Sequence, residues 1–283
     1  MKCLEITLIP PDMSSGGGLG VYQSVKSLSA CCVVDYIGPQ YDEKIFEDCA
    51  NNVNKFKILS MNRAGILKSI YRLIFKGITT SFYDSWLDIK NIIDWDKYDF
   101  VHVEFSRYKF IVDESHKHNK KCIIREHNVE SDYAQVIYNL SHRISDYIRY
   151  KSFRINEKAV LISADLIIFI TEKDIKRAKH LYSFDINKAV LNPVCIDVRE
   201  KIALVSSTKP LGEEKVILMT GSLGHGPNVN GIIWFVDNVW NKIEKSAEVS
   251  NINLVIAGRN PSKNIKDLVK SHKRMSSLGN FLT

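Results

Sequence analysis

Gly16-Gly17-Gly18, with Gly20 close behind, stand at the mouth of an amphipathic stretch, residues 21–28, whose Val21, Val25 and Leu28 share one helical face. Glycines there let a ligand approach the backbone closely, and the unpaired N–H groups and dipole of a helix start favour an anion such as phosphate or carboxylate. Glu126-His127-Asn128 end a second apolar run, residues 122–126, and place a carboxyl, an imidazole and an amide side by side. Gly221-Ser222-Leu223-Gly224-His225-Gly226-Pro227-Asn228 repeats the glycine-loop pattern after the apolar residues 216–219, and Arg259 follows the next apolar run. The first loop is no dinucleotide fingerprint, because Val21 stands where the third glycine should follow Gly16 and Gly18, and it is no P-loop, because no G-K-[ST] closes it. The bland alternatives are a glycine loop without a ligand and a satisfied loop histidine.

Other charged groups carry less chemistry. His116-x-His118 has metal-like spacing, but Lys117, Lys120 and Lys121 would repel a cation, and no metal site is expected. The series Arg143, Arg149, Lys151, Arg154 and Lys158 is a solvated helix face with no nucleic-acid motif beside it. Between Cys49 and Tyr83 there is no acidic residue. Lys68, Arg72 and Lys76 share one helical face there, with Arg63 upstream, opposite Ile66, Ile70, Leu73 and Ile74 and flanked by Phe75, Phe82, Tyr83 and Trp86. That basic amphipathic run, residues 63–76, is suited to an anionic membrane surface. No nucleophile elbow is present.

The elements that must position these groups follow from patterning. At 283 residues and 45% apolar content the chain supports one large or two medium domains. The net charge of +7 suits an anionic partner. No apolar run nears the roughly 20 residues of a membrane span. No signal peptide is evident, and six cysteines without a C-x-x-C pair read as reduced packing residues of a cytoplasmic protein. Expected strands at 4–9, 30–37, 56–59, 100–103, 122–126, 166–170 and 189–191 alternate with helices at 21–28, 108–118, 131–162 and 175–181, the last capped by Thr171. Such alternation predicts a doubly wound parallel sheet. The right-handed crossover rule sends every strand C-terminus to one edge, where ligands bind. The first glycine loop and the His127 corner share that edge. Residues 198–214 are polar and turn-rich, so the expected division is 1–197, a linker at 198–214, and 215–283. In the last part, strands 216–219 and 254–257 alternate with helices 229–245 and 262–273, leaving an uncovered edge near Leu254.

Two α/β units, each opening with strand, glycine loop and helix, resemble the GT-B glycosyltransferases, and specifically the family-4-like branch that builds bacterial surface polysaccharides. The resemblance rests on Gly16-Gly17-Gly18, on Arg125-Glu126-His127-Asn128-Val129-Glu130-Ser131, and on Ala164-Asp165 leading into residues 168–172. It extends to Asn192-Pro193-Val194-Cys195-Ile196-Asp197, to Gly221-Ser222-Leu223 with Pro227-Asn228 and Trp234-Phe235, and to Val255-Ile256-Ala257-Gly258. It implies an α/β GT-B-like fold, an N-terminal Rossmann-like doubly wound sheet plus an incomplete second Rossmann-like domain.

It also implies transfer of a sugar, with retention and without metal or other cofactor, from a nucleotide-sugar co-substrate to a glycan or lipid-linked acceptor at the inner membrane face. Gly16, Gly17 and Gly18, with Glu126 and Asn128, would face the acceptor or the diphosphate. His127 would hydrogen-bond the donor sugar, and Gly221, Ser222, His225, Asn228 and Arg259 would line the donor side. The sequence departs from the family where Ser222 replaces the usual arginine and where no Glu-x7-Glu pair follows Gly221; Glu244 and Glu248 fall on a helix expected to be exposed. Much of the usual donor domain is missing from the pattern. The competing reading is therefore a truncated, non-catalytic binding or partner-dependent module. A third is an epimerase-like binder of nucleotide-diphosphate sugars, against which the glycine spacing counts.

Overall fold

The computed structural model describes residues 1–13, 15–49, 52–59, 71–72, 77–80, 82–195, 215–246 and 251–278. The expected linker 198–214 lies outside them, as do Arg63, Lys68 and Lys76. The chain divides into two compact units, Met1–Ile196 and Asp197–Thr283.

In the first unit, β1 (Lys2–Ile6), β2 (Val33–Gly38), β3 (Val53–Ile58), β4 (Phe100–Glu104), β5 (Lys121–Glu126), β6 (Leu166–Phe169) and β7 (Ala189–Leu191) form one sheet in the order β3-β2-β1-β4-β5-β6-β7. Every neighbouring pair is parallel. Cys3, Leu4, Glu5 and Ile6 are all buried, so helices cover β1 on both faces. The strand order reverses between β1 and β4, which makes the gap beyond their C-termini the crevice of the sheet.

The helices are α1 (Gly16–Ser29), α2 (Phe82–Ile89), α3 (Lys109–Lys117), α4 (Glu130–Ser141), α5 (Ile144–Ser163) and α6 (Glu172–Tyr182). Two depart from expectation. The expected helix 131–162 breaks in two because His142 adopts a left-handed conformation (φ 52°) and closes α4. Near the N-terminus, α1 begins at Gly16, so the glycines form its first turn instead of a loop before it. Ser15 is the reason: its Oγ accepts the Gly18 N–H at 3.1 Å, starting the helix one turn early. Thr171 caps α6 as its sequence position suggests, its side chain accepting the Asp174 N–H.

Two of the aromatics that flank the basic run are interior. Phe82 and Trp86 are both 1% exposed, and the ring of Phe82 lies 5.8 Å from that of Tyr108. Arg72, expected on a membrane surface, is instead 3% exposed and ion-paired with Asp84, because the buried guanidinium needs a carboxylate partner.

The second unit holds β8 (Lys215–Thr220), β9 (Ile252–Ala257) and β10 (Met275–Leu278), parallel in the order β10-β9-β8. Helix α7 (Gly226–Phe235) runs on through a π-turn, Val236–Trp240, into a last turn, Asn241–Lys245, and α8 (Lys263–Lys270) follows β9. Strand β10 overturns the expected open edge: Leu254 pairs with Met275 and is fully buried. The polar residues Ser276 and Ser277 hid it, since they break the apolar run that marks a strand. Glu244 accepts from His272 and from the Arg274 N–H, tying α7 to this added strand.

Candidate active site

At the sheet crevice α1 presents its first turn. The N–H groups of Gly16 and Gly17 have no hydrogen-bond partner among the described residues. Gly18 is already capped. Asp12 lies behind that cap, accepting from Ser15 N at 2.8 Å and from Ser15 Oγ at 2.8 Å, so the helix start carries a carboxylate of its own. A Cβ on Gly20 would fall 2.5 Å from Cε1 of His127. The imidazole therefore packs directly on α1, where only glycine leaves room for it.

His127 is held from three directions. Its Nε2 bonds the Glu104 carboxylate at the end of β4. Its ring stacks on Phe105 with centroids 4.3 Å apart and planes 23° apart. Gly20 closes the third side. Phe105 reaches the ring because its backbone is left-handed (φ 74°), a strained state for an aromatic residue that costs on the order of 1–3 kcal/mol. His127 Nδ1 has no protein partner among the described residues.

Behind Glu104 a buried chain continues. His102 Nδ1 lies 2.6 Å from Glu5 Oε2 and 4.0 Å from Glu104 Oε1. Burial would raise the Glu104 carboxyl, yet the bond from His127, the charges of His127 and His102 and a bond from Ser24 on α1 hold it below the usual range. Ionised Glu104 can only accept, so His127 donates its Nε2–H to it, which leaves Nδ1 as the ring's other hydrogen-bonding atom. Burial pushes Glu5 up to about 7 despite His102. His102 is raised, the pull of Glu5 outweighing burial. Glu5, His102 and Glu104 are also the described residues whose ligand atoms could converge on one ion, within 4.8 Å of one another. His102 hydrogen-bonds Glu5, whereas its 4.0 Å approach to Glu104 is a charge contact too long for a hydrogen bond.

A second buried group lies beside β5. Glu126, expected at the ligand, is 1% exposed and receives Ser106 Oγ at 2.6 Å and Ser106 N at 3.0 Å. Burial, Glu157 and Glu130 push its carboxyl well above the usual range. Asn128 donates to Glu130 at 2.7 Å, and Glu130 pairs with Arg107. Glu157 on α5 accepts the N–H groups of Glu130 and Ser131 at 2.6 and 3.2 Å, which caps α4. Glu126 and Asn128 thus hold the loops that frame His127. Arg107 lies over Phe105 and Phe153, 4.9 and 5.0 Å from their ring centroids, and faces a cavity of about 240 Å³ walled by Leu8, Ile9, Tyr108 and Phe153.

In the second unit the loops after β8 and β9 interlock. Gly258 passes so close that a Cβ would lie 1.7 Å from the Gly221 carbonyl oxygen, and Leu223 N donates to Arg259 O at 2.9 Å. Asn228 donates to the Ser222 carbonyl at 3.2 Å. His225 precedes α7 and gives it no side-chain cap. Gly221, Ser222, His225, Asn228 and Arg259 are thereby gathered at one edge of this sheet.

Glu104, Glu5, His102 and Arg107 were not among the expected site residues. For Glu5, His102 and Glu104 the signal is visible in the sequence: Leu4-Glu5-Ile6 and Val101-His102-Val103-Glu104 place titratable groups at interior positions of strands buried on both faces.

No protein-family model matches the chain. It is 25% identical over 229 residues to a Klebsiella pneumoniae protein described as an uncharacterized 44.6 kDa protein in the cps region, covering 80% of this chain and 53% of that one. The chain thus spans about half the length of that curated relative. HepE of Anabaena, solved with UDP-glucose, aligns over 98% of this chain and 68% of its own with TM-score 0.57 at 10% identity. WaaG, a glycosyltransferase involved in lipopolysaccharide biosynthesis, aligns over 98% and 70% with TM-score 0.56 at 13% identity. The UDP-GlcNAc 2-epimerase of Methanocaldococcus jannaschii aligns over 100% and 74% with TM-score 0.56, also at 13% identity. Two parallel Rossmann-like units in this order, and these neighbours, show that the chain has the GT-B fold of glycosyltransferases and related epimerases.

Proposed function

We propose that this chain belongs to a retaining glycosyltransferase that moves a sugar from a nucleotide-sugar to a lipid-linked or polysaccharide acceptor, at the cytoplasmic face of a membrane and without metal. The observation that carries the reading is His127, locked by Glu104, Phe105 and Gly20 at the sheet crevice with Nδ1 unclaimed. Nδ1 accepts a hydroxyl of the donor sugar. The N–H groups of Gly16 and Gly17, with the dipole of α1, stabilise charge on the departing diphosphate, where fixed donors act most strongly. Asp12 restrains that role until a ligand displaces its carboxylate from the helix start. The Arg107-lined cavity receives the acceptor. Gly221, Ser222, His225, Asn228 and Arg259 bind the nucleotide.

The test is transfer by the whole protein with His127→Ala. Abolished transfer with native circular dichroism supports the role, and undiminished transfer removes it. The anomeric configuration of the product, read by NMR, checks retention.

A second reading, a non-catalytic or partner-dependent module, is favoured by β8, where Val216 and Leu218 stand 46% and 58% exposed. Calorimetric titration of residues 1–283 with UDP-, GDP- and ADP-sugars separates the two, since tight binding contradicts the module. Appearance of an epimerised nucleotide-sugar without any acceptor would instead favour the epimerase-like alternative.

A further inference from the structure

The basic series Arg143 to Lys158, which no step above uses, turns out to share its surface with exposed apolar side chains. At about 100° per residue, Ile144, Tyr147, Lys151, Arg154, Ile155, Lys158 and Ile162 of α5 fall on one continuous stripe. All of them are exposed, Ile144 by 79% and Ile155 by 66%. The acidic residues of α5, Asp146 and Glu157, both point inward and are buried. At the tip of the α4–α5 hairpin, Arg143 and Leu140 (54% exposed) extend the same character, and Val136 continues it along α4.

We infer that this stripe is the surface by which the protein lies on an anionic bilayer. Cations on a stripe with no acid among them attract an anionic partner. Isoleucines that none of the described residues covers favour hydrocarbon, which a nucleic-acid backbone does not provide. A second copy of the chain fits poorly, because a two-fold contact would press a patch whose charges are all positive against the same patch. A bilayer interface answers both requirements, burying the isoleucines below the headgroups while the lysine and arginine side chains extend to the phosphates. The opposite side of the same helix supplies Phe153 and Asn156 to the Arg107 cavity. A lipid-linked acceptor would therefore meet helix α5 on both sides, a point that rests on the function proposed above; the bilayer contact itself does not.

The experiment is flotation of the whole chain with vesicles of phosphatidylcholine alone and of phosphatidylcholine doped with phosphatidylglycerol. The parent protein should float with the anionic vesicles only, less so as salt rises. Lys151→Glu with Lys158→Glu, and separately Ile144→Ser with Ile155→Ser, should each lower the bound fraction constant by at least about ten-fold, with circular dichroism and nucleotide-sugar titration unchanged. Three results would overturn the inference: no flotation of the parent, flotation indifferent to both variants, or a sedimentation-velocity dimer that Ile144→Ser with Ile155→Ser dissolves. Nucleotide-sugar titration reports on the proposed transferase function independently of these outcomes.

Discussion

His127 owes its orientation to Glu104. In Glu104→Gln the amide still fills the space but the charge that fixes the ring proton is gone. Transfer should fall roughly 100-fold, as for a misplaced reacting group, and nitrogen shifts of the His127 ring should change from a single Nε2–H tautomer to a mixture. An unchanged tautomer would show that stacking on Phe105 and packing on Gly20 suffice. The same buried chain gives stability a pH dependence. Glu5 and Glu130 keep their protons up to about 7, whereas the unfolded chain releases them near the ordinary glutamate value of 4.5. Between those values the folded state binds more protons, so stability falls as pH rises through the window and levels off above it. The raised His102 acts in the same direction, its contribution present at low pH and lost as pH rises; Glu104 opposes, its contribution lost as pH falls. Denaturation at about pH 5 and about pH 7.5 should show Glu5→Gln with a smaller loss than the parent, each pKa unit counting about 1.4 kcal/mol.

Two glycines do for elements what Glu104 does for a residue. Gly20→Ala gains helix propensity of about 0.5–1 kcal/mol, yet its methyl would press on Cε1 of His127 and drive the ring from Glu104. The expected variant melts close to the parent and has lost most of its transfer. Gly258→Ala meets backbone, the Gly221 carbonyl oxygen, which cannot swing aside. It should destabilise the second unit by about 2–3 kcal/mol, visible as a lowered urea midpoint with the first unit's signal unmoved.

How much of this was legible follows from period and propensity. Continuous apolar runs marked strands such as β5 and β6, and Thr171 marked the start of α6. The break at His142 was not legible, since a left-handed residue other than glycine leaves no pattern. The start of α1 was missed for the opposite reason, three poor helix formers being overridden by the Ser15 cap. At the site, His127 stood out through its strand-end position. The group that holds it is assembled from β1, β4 and β5, and residues about a hundred positions apart in sequence, Glu5 and His102, meet only through sheet register.

At the scale of the molecule, the two units keep separate cores. One is built around Leu4, Val103, Ile124 and Phe169, the other around Leu223, Trp240, Leu254 and Ile265. Among the described residues the smaller buries fewer side chains, and its strand β8 leaves Val216 and Leu218 exposed, so it has less to lose on opening. Calorimetry should accordingly resolve two endotherms, the lower one removed by Gly258→Ala and the upper one carrying the pH dependence of Glu5. A single sharp endotherm, shifted as a whole by either substitution, would instead mean that the two melt as one cooperative body. With two endotherms, gentle warming would leave the crevice bearing His127 intact while the second sheet has already come apart.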